Sequence, residues 1–176
     1  MFLQQSEKYK FDLNAKMLID LTPFQLVCMH GHTDIAEMLI QKSLESKIDL
    51  DAKDKNGFTP FHFASRYGHV SIVNMLMLRS SKLKIDVNAK CNDSFTAFHM
   101  ACFWGNTPCI EVMMDNAKSC GLNLNARTKS LKTGLQVAKA IGRMDVVNLI
   151  MKKSQSFKKI KLEQEKKNID ISMAFK

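Results

Sequence analysis

The feature that most constrains this chain is a period of 37 residues. Threonines recur in that register at Thr22, Thr59, Thr96 and Thr133, and glycines at Gly31, Gly68, Gly105 and Gly142. One structural unit therefore occurs four times without insertion or deletion between copies. A fixed period of this size predicts a linear stack, in which each unit buries its apolar face against its neighbours, rather than a single globular core.

The copy between Gly57 and Met77 indicates two helices per unit. Asn56-Gly57 is a turn signal, because glycine readily adopts the positive φ that such turns require. Thr59-Pro60 then opens a helix, since the threonine oxygen accepts from first-turn amides and proline at the first position leaves no amide unsatisfied. Gly68 ends this short helix. The apolar stripe of a second helix follows at Ile72, Val73, Leu76 and Met77.

The period divides the chain into six segments. We number the four full copies units one to four, at residues 14–50, 51–87, 88–124 and 125–154, with a partial unit at 1–13 and a basic capping extension or disordered tail at 155–176. The leading segment aligns with the second half of a unit. Either Met1 lies inside a longer array or this half-unit acts as a cap. We favour the longer array, because a half-unit leaves an apolar helix face without a partner.

The fourth copy departs most from the others. It has Thr133-Gly134 where unit two has Thr59-Pro60. Glycine lowers helix propensity by about 1 kcal/mol relative to alanine, so this helix is expected to be the weakest of the first helices.

The second copy resembles the ankyrin repeat. Its Thr59-Pro-Phe-His-Phe-Ala64, followed by Gly68-His69 and Ile72-Val-Asn-Met-Leu76, is similar to the family signature Thr-Pro-Leu-His-x-Ala with Gly-His and Ile-Val-x-x-Leu-Leu after it. The resemblance covers about residues 1–154 and implies an all-α, helix-turn-helix solenoid with β-hairpin or turn connections. The family's usual unit has about 33 residues, so the extra residues here predict an added helical turn or a longer loop after the second helix.

The resemblance also implies a binding surface made of the turn tips and the exposed sides of the first helices. Transferred by register, the main candidates are Met29, His30, Lys55, Phe58, Arg66, Tyr67, Asn92, Asp93, Phe95, Phe103 and Trp104. The same register adds Leu18, Ile19, Leu21, Asn56, Lys129, Ser130, Lys132 and Ile141. Tryptophan, tyrosine and arginine often dominate interface energies. The alternative is that Phe58, Phe95 and Trp104 only pack against the neighbouring turn.

The charge of the chain bears on its partners. The net charge is +9, of which residues 152–176 carry +5 through eight lysines and three acidic residues. This surplus favours acidic partners. The lysine-rich end either keeps the array soluble or attracts nucleic acid in a salt-sensitive manner, as in a nuclear regulatory protein, and we favour the first reading.

The sequence gives little support to catalysis, cofactors or metals. It contains no glycine-rich phosphate loop, and its five cysteines include no CxxC pair, which favours reduced, buried thiols. His62 and His99 are interpreted as structural residues that tie a turn to its own helix. The pair His30 and His32 lacks further metal ligands nearby. A Cys102 nucleophile beside His99 would share a helix face with it, but no oxyanion hole or orienting residue accompanies the pair.

Neither a membrane span nor a secretion signal is apparent. A span needs roughly 18 apolar residues in a row, and the residues after Met1 form no apolar signal core. We therefore expect an intracellular protein, cytoplasmic or nuclear. The function predicted from the sequence is a non-enzymatic scaffold for a protein or peptide partner. The alternative is a fragment of a larger protein whose activity lies in another domain.

Overall fold

The computed structural model describes residues 12–16 and 20–156. The expectations for the leading half-unit up to residue 11, for Leu18 and Ile19, and for the tail from residue 157 onward lie outside the described residues.

The described residues form eight helices and no strand, as the all-α prediction requires. The helices are α1 Pro23–His30, α2 Thr33–Ser46, α3 Pro60–Tyr67, α4 Val70–Leu83, α5 Ala97–Trp104, α6 Thr107–Cys120, α7 Gly134–Ala140 and α8 at 144–156. Each unit contributes a short first helix and a longer second helix. The residues that exceed the usual repeat length are helical in units one to three, where α2, α4 and α6 each run for 14 residues.

Every first helix begins with the same reciprocal cap. In each, the threonine side chain meets the amide three residues later, and the side chain at that third position returns to the threonine amide. The pairs are Thr22 with Gln25, Thr59 with His62, Thr96 with His99, and Thr133 with Gln136. The repeated threonine is therefore explained by helix initiation.

The glycine after each of the first three short helices ends that helix and lies against a side chain of the next unit. Gly31 ends α1 with φ of 75°, in the left-handed region that favours glycine. A Cβ at Gly31 would overlap the imidazole of His69 in the next unit. The glycine thus ends its own helix and admits the neighbouring unit.

The core runs along the stack between the two layers of helices. First helices pack on first helices of the adjacent units, and α4 packs on α6 in the second layer. Ala64, Ala101 and Ala138 occupy one register position and are 0% exposed. A small side chain there lets neighbouring helices approach closely, while Phe61, Ile72 and Leu76 fill the space around them.

A ladder of asparagine side chains joins the segments that follow the second helices. The Asn14 side chain accepts from the Asp49 amide at 2.7 Å and donates to the Lys47 carbonyl at 3.1 Å. Asn88 repeats both bonds one junction further on, accepting from Asn123 at 2.7 Å and donating to Gly121 at 2.8 Å. Each asparagine therefore ties its own unit to the next.

Asp51 interrupts this ladder at the intervening junction. Its Oδ2 accepts from the Asp86 amide at 2.7 Å, but its Oδ1 is buried without a hydrogen-bond partner among the described residues. A carboxylate cannot donate the second bond that an asparagine makes. Burial, with smaller contributions from the Asp86 and Asp49 charges, raises the pKa of Asp51.

Candidate binding groove

Four aromatic residues, Phe58 of unit two and Phe95, Phe103 and Trp104 of unit three, line one cavity. Its volume is about 220 Å³, and its lining combines the turns of these units with their first helices. We call it the aromatic groove and define it by Phe58, Arg66, Cys91, Asp93, Phe95, Met100, Phe103 and Trp104.

Local hydrogen bonds fix the turn that carries Phe58. The Asp54 amide donates to the Phe58 carbonyl at 3.1 Å, and the Asp54 carboxylate accepts from the Phe58 amide at 2.7 Å. In unit three, the Cys91 amide donates to the Phe95 carbonyl at 3.0 Å. Both phenylalanines are therefore held by closed turns directly before their helices.

The last turn of α5 supplies the opposite wall. The rings of Phe103 and Trp104 lie 5.5 Å apart in an edge-to-face arrangement, and Phe103 meets Phe95 at 6.5 Å. This is the geometry that aromatic pairs prefer. The wall is thus a connected set of rings, and 43% of Trp104 remains exposed.

Arg66 enters the groove from the end of α3. Its guanidinium carbon lies 4.8 Å from the Trp104 ring centroid and 5.4 Å from that of Tyr67. Such contacts attract a cation to an aromatic face. The guanidinium makes no ion pair among the described residues, and its Nε is buried without a hydrogen-bond partner. Stacking therefore positions Arg66, and its charge is left without a counter-ion among the described residues.

The backbone of Arg66 is also fixed by the following unit. The side-chain amide of Asn106 donates to the carbonyls of Ser65 at 2.7 Å and Arg66 at 2.8 Å. These carbonyls belong to the end of α3, where no further helical turn satisfies them. Asn106 thus orients the residues that present the arginine.

His62 and His99 do more than the sequence suggested. Nδ1 of His62 accepts from the Thr59 amide at 3.1 Å, so Nε2 carries the proton and donates to the Phe95 carbonyl of unit three at 3.0 Å. His99 likewise reaches the Lys132 carbonyl of unit four at 3.1 Å. The Nδ1 bonds agree with the expected tie to each histidine's own helix, and the Nε2 bonds add a link to the next unit that the sequence did not predict.

Burial fixes the charge state of His62. The side chain is 1% exposed, and burial lowers its pKa to about 4. Burial also lowers the pKa of His99. Both rings are therefore neutral at pH 7 and serve as bridges rather than as cations.

The predicted surface residues divide into three groups. Phe58, Arg66, Asp93, Phe95, Phe103 and Trp104 line the groove, and Tyr67 adjoins it through Arg66. Lys55, Asn92, Met29 and His30 lie outside its lining; three of them are exposed, and Met29 is half-buried. Leu21 is buried in the core at 7% exposure, so the expectation that it belongs to the surface is wrong.

Phe58 and Phe95 line the groove and also pack against the first helix of their own unit, a contact that neither alternative from the sequence included. Each packs 5.6 Å from the histidine ring of its own unit, His62 or His99, and each also lines the groove. Two further lining residues, Cys91 and Met100, were missed. Met100 could have been found, because it lies four residues before Trp104 and therefore on the same helix face.

The character of this surface changes in unit four. At the register position of Phe58 and Phe95, unit four carries the exposed Lys132, and Ala140 replaces Phe103. Lys129 and Arg127 are exposed on the same turn. The surface therefore passes from aromatic to cationic along the stack.

The residues considered for catalysis are engaged in structure. Cys102 is 0% exposed, and burial raises the pKa of its thiol far above the ordinary value. Both ring nitrogens of His99 are occupied, by Thr96 and by the Lys132 carbonyl. A Cys102 and His99 nucleophile pair is therefore incompatible with this geometry.

The described residues also lack a metal-binding cluster and a membrane-spanning helix. They contain no group of three or more histidine, cysteine or acidic side chains placed to hold a metal ion. None of their helices is both long enough and apolar enough to cross a membrane.

Comparison with known proteins agrees with the fold. The family profile of ankyrin repeats, in three copies, matches residues 2–91, which is half of the chain. No curated protein gives a significant match. Units three and four extend the matched region with the same helix pairs and the same reciprocal caps. The chain belongs to the ankyrin repeat family.

Proposed function

We propose that this chain is a non-enzymatic scaffold that binds a protein or peptide partner through the aromatic groove. Ankyrin repeats are generally protein-protein interaction modules. The observation that carries the proposal is the exposure of ordered aromatic side chains around the groove, where Tyr67 is 47%, Trp104 43% and Phe103 38% exposed.

The position of these rings supports binding rather than packing as their main role. The exposed rings are not needed to fill the core, because other residues of the first helices, such as Phe61 and Ala64, are buried there. Exposed aromatic residues in contact with one another form an apolar surface that a partner can cover. Trp, Tyr and Arg, which are enriched at energetic centres of interfaces, occur together here as Trp104, Tyr67 and Arg66.

The surrounding charge supports an acidic partner. The chain carries a net charge of +9, and a basic surface accelerates association with acidic proteins. All five cysteines are free, as expected for a protein that works inside the cell, in the cytoplasm or nucleus.

Paired substitutions test the proposal. Tyr67→Ala combined with Trp104→Ala removes most of the exposed ring surface, whereas Leu78→Ala with Met144→Ala removes comparable exposed surface on second helices. We expect the first pair to reduce partner capture from a cell extract about tenfold or more, and the control pair to leave it unchanged. Circular dichroism should show intact folding for both. Undiminished capture by a folded Tyr67→Ala, Trp104→Ala protein would contradict the proposal.

A further inference from the structure

The aromatic groove has an unpaired cation at its wall. Four ion pairs occur among the described residues, and none involves a residue of the groove. Asp93 lines the groove with Arg66, but the two side chains are not paired. A carboxylate brought by a ligand would meet guanidinium donors already held by Trp104 and Tyr67, and such charge-assisted bonds are the strong ones.

A second cationic region begins one unit further along the stack. Residues 125–150 contain five basic side chains, Arg127, Lys129, Lys132, Lys139 and Arg143, against the single acid Asp145. Lys129 and Lys132 are exposed on the turn and have no ion pair among the described residues. This turn occupies the register of the aromatic turns before it.

The size of the groove limits what can fill it. Its volume of about 220 Å³ lies below the roughly 300–1,000 Å³ of typical small-molecule pockets. It is also open to the turns on both sides, since Asp93 and Phe58 come from successive units. A single large side chain of a longer ligand fits these dimensions better than a separate small molecule.

We infer that the groove binds an extended, acidic segment of a partner protein, in which one apolar side chain occupies the groove and acidic side chains meet Arg66 and the Lys129 and Lys132 turn. The inference rests on the proposed function and specifies the partner's chemistry.

The stacking distance sets the spacing within that segment. Neighbouring packed helices lie about 8–10 Å apart, and an extended chain advances about 3.3 Å per residue. The groove lies between units two and three, so the turn of unit four stands about one and a half helix spacings away, or roughly 12–15 Å. Side chains of an extended chain alternate between its two faces, so the acid over unit four should stand about four residues from the apolar anchor, on the same face. A second acid about two residues from the anchor, also on that face, would serve Arg66.

Single-stranded nucleic acid is the competing ligand, because it too is bound by aromatic and cationic side chains. Asp93 lines the groove itself, and a nucleic acid carries a negative charge at every nucleotide, so it cannot place an uncharged stretch of its backbone beside this carboxylate as a peptide can. The groove therefore favours an acidic peptide with an apolar anchor over a continuous polyanion.

Selection from a random library of 12-residue peptides displayed on phage, against the intact 176-residue protein, tests the inference. Enriched peptides are synthesised, and their affinities are measured by fluorescence anisotropy at two salt concentrations. We expect a shared pattern of one aromatic or aliphatic residue with Asp or Glu about four residues away. Replacing that acid by its amide should weaken binding about tenfold.

Matched variants locate the acidic contact. Lys129→Gln with Lys132→Gln removes two charges beside the groove, and Lys82→Gln with Lys118→Gln removes two exposed charges from second helices. We expect the first pair to weaken peptide binding about five- to tenfold and to reduce its salt dependence, and the second pair to change it less than about twofold.

The outcomes separate the two levels of the proposal. Two results would overturn the acidic partner and leave the groove as a protein-binding site. One is a set of peptides that require Trp104 but contain no acid, and the other is equal affinity of the peptides for the Lys129→Gln, Lys132→Gln variant and the Lys82→Gln, Lys118→Gln variant. Failure to enrich any peptide, or binding that is indifferent to Tyr67 and Trp104, would count against both. Binding of a 12-residue oligodeoxythymidine with the affinity of the best peptide, and with the same dependence on Trp104, would assign the groove to nucleic acid instead.

Discussion

Units two and three have the same helix caps and buried alanines as unit four, but the side chains of their cap residues make different hydrogen bonds. Thr96 and Thr133 open their helices with the same reciprocal cap, and Ala101 and Ala138 are equally buried. However, His99 is 0% exposed and bonds to the next unit, whereas Gln136 is exposed and, among the described residues, bonds only to Thr133. The cap residue is therefore a buried bridge in unit three and an exposed cap in unit four.

Gly134 shows that unit four is fitted to its neighbour rather than merely degraded. A Cβ at this position would lie 2.8 Å from the Phe98 ring and 3.0 Å from the Cys102 sulfur. Proline or alanine, as at the start of α3 and α5, would therefore displace side chains of unit three. The low helix propensity of glycine is offset by this close approach.

The largest expected difference between the two regions comes from a buried charge. Ala64→Asp places a carboxylate at a fully buried position in unit two, and Ala138→Asp does so in unit four. We expect Ala64→Asp to cost about 4 kcal/mol or more and to unfold most of the stack, because a central unit contacts two neighbours. Ala138→Asp should mainly unfold the last unit. Urea unfolding followed by circular dichroism measures both, and equal losses of helix would contradict the stack.

The bridging histidine offers the next largest contrast. His99→Ala leaves the buried Thr96 amide without its partner and opens a cavity at a fully buried position, while the Lys132 carbonyl keeps only its bond from the Thr128 amide. We therefore expect a loss of about 2–4 kcal/mol. Gln136→Ala removes an exposed cap and should cost about 0.5–1 kcal/mol. The free energy of unfolding in urea measures both.

His62, at the same register position in unit two, offers a control through the substitution His62→Gln. In unit one, Gln25 already makes the equivalent bonds, accepting from Thr22 at 2.8 Å and donating to the Phe58 carbonyl at 3.0 Å. His62→Gln should therefore retain most of the stability. A loss as large as that of His62→Ala would show that ring packing, rather than the bridge, stabilises the junction.

His62→Gln should also change how strongly the free energy of unfolding depends on pH. The folded pKa of His62 is about 4, below the ordinary value of 6.5. Because the unfolded chain then binds more protons, stability is complete above about pH 6.5 and is lost as the pH falls towards 4. Between pH 7 and pH 5, His62 should contribute a loss of about 2 kcal/mol. Urea midpoints at these values should therefore fall less for His62→Gln than for the wild type, and parallel decreases would refute the assignment to His62.

The smallest expected effect distinguishes two junctions inside the stack. Asp51→Asn restores the donor that Asn88 supplies one unit further on, and should stabilise the protein by about 1 kcal/mol at pH 7. Since the pKa of Asp51 is raised, protonation relieves its burial, and the gain should shrink as the pH falls through that pKa. Asn88→Asp is the reciprocal control and should destabilise by a similar amount. Thermal melts of both variants at pH 7 and pH 4 measure these changes, and no gain from Asp51→Asn at pH 7 would contradict the ladder.

These contrasts also explain how far the sequence predicts the molecule. The fold is predictable because the threonine caps, the terminal glycines and the buried alanines act within one unit and recur in register. The groove was predicted in part, since register places Phe58, Phe95 and Trp104 on one surface. Burial of Leu21, the bridge from His62 and the need for Gly134 depend on distances between units, which a single unit's pattern does not contain.

The most direct test of the central claim is amide hydrogen exchange of the intact protein, with and without a saturating amount of the tightest selected peptide. A partner segment in the aromatic groove should slow exchange in the turns at residues 55–58 and 92–95 and near Arg66 and Trp104, while the exposed second-helix surfaces around Leu44 and Leu78 stay unchanged. Protection confined to the second helices, or absent from both turns, would contradict the account.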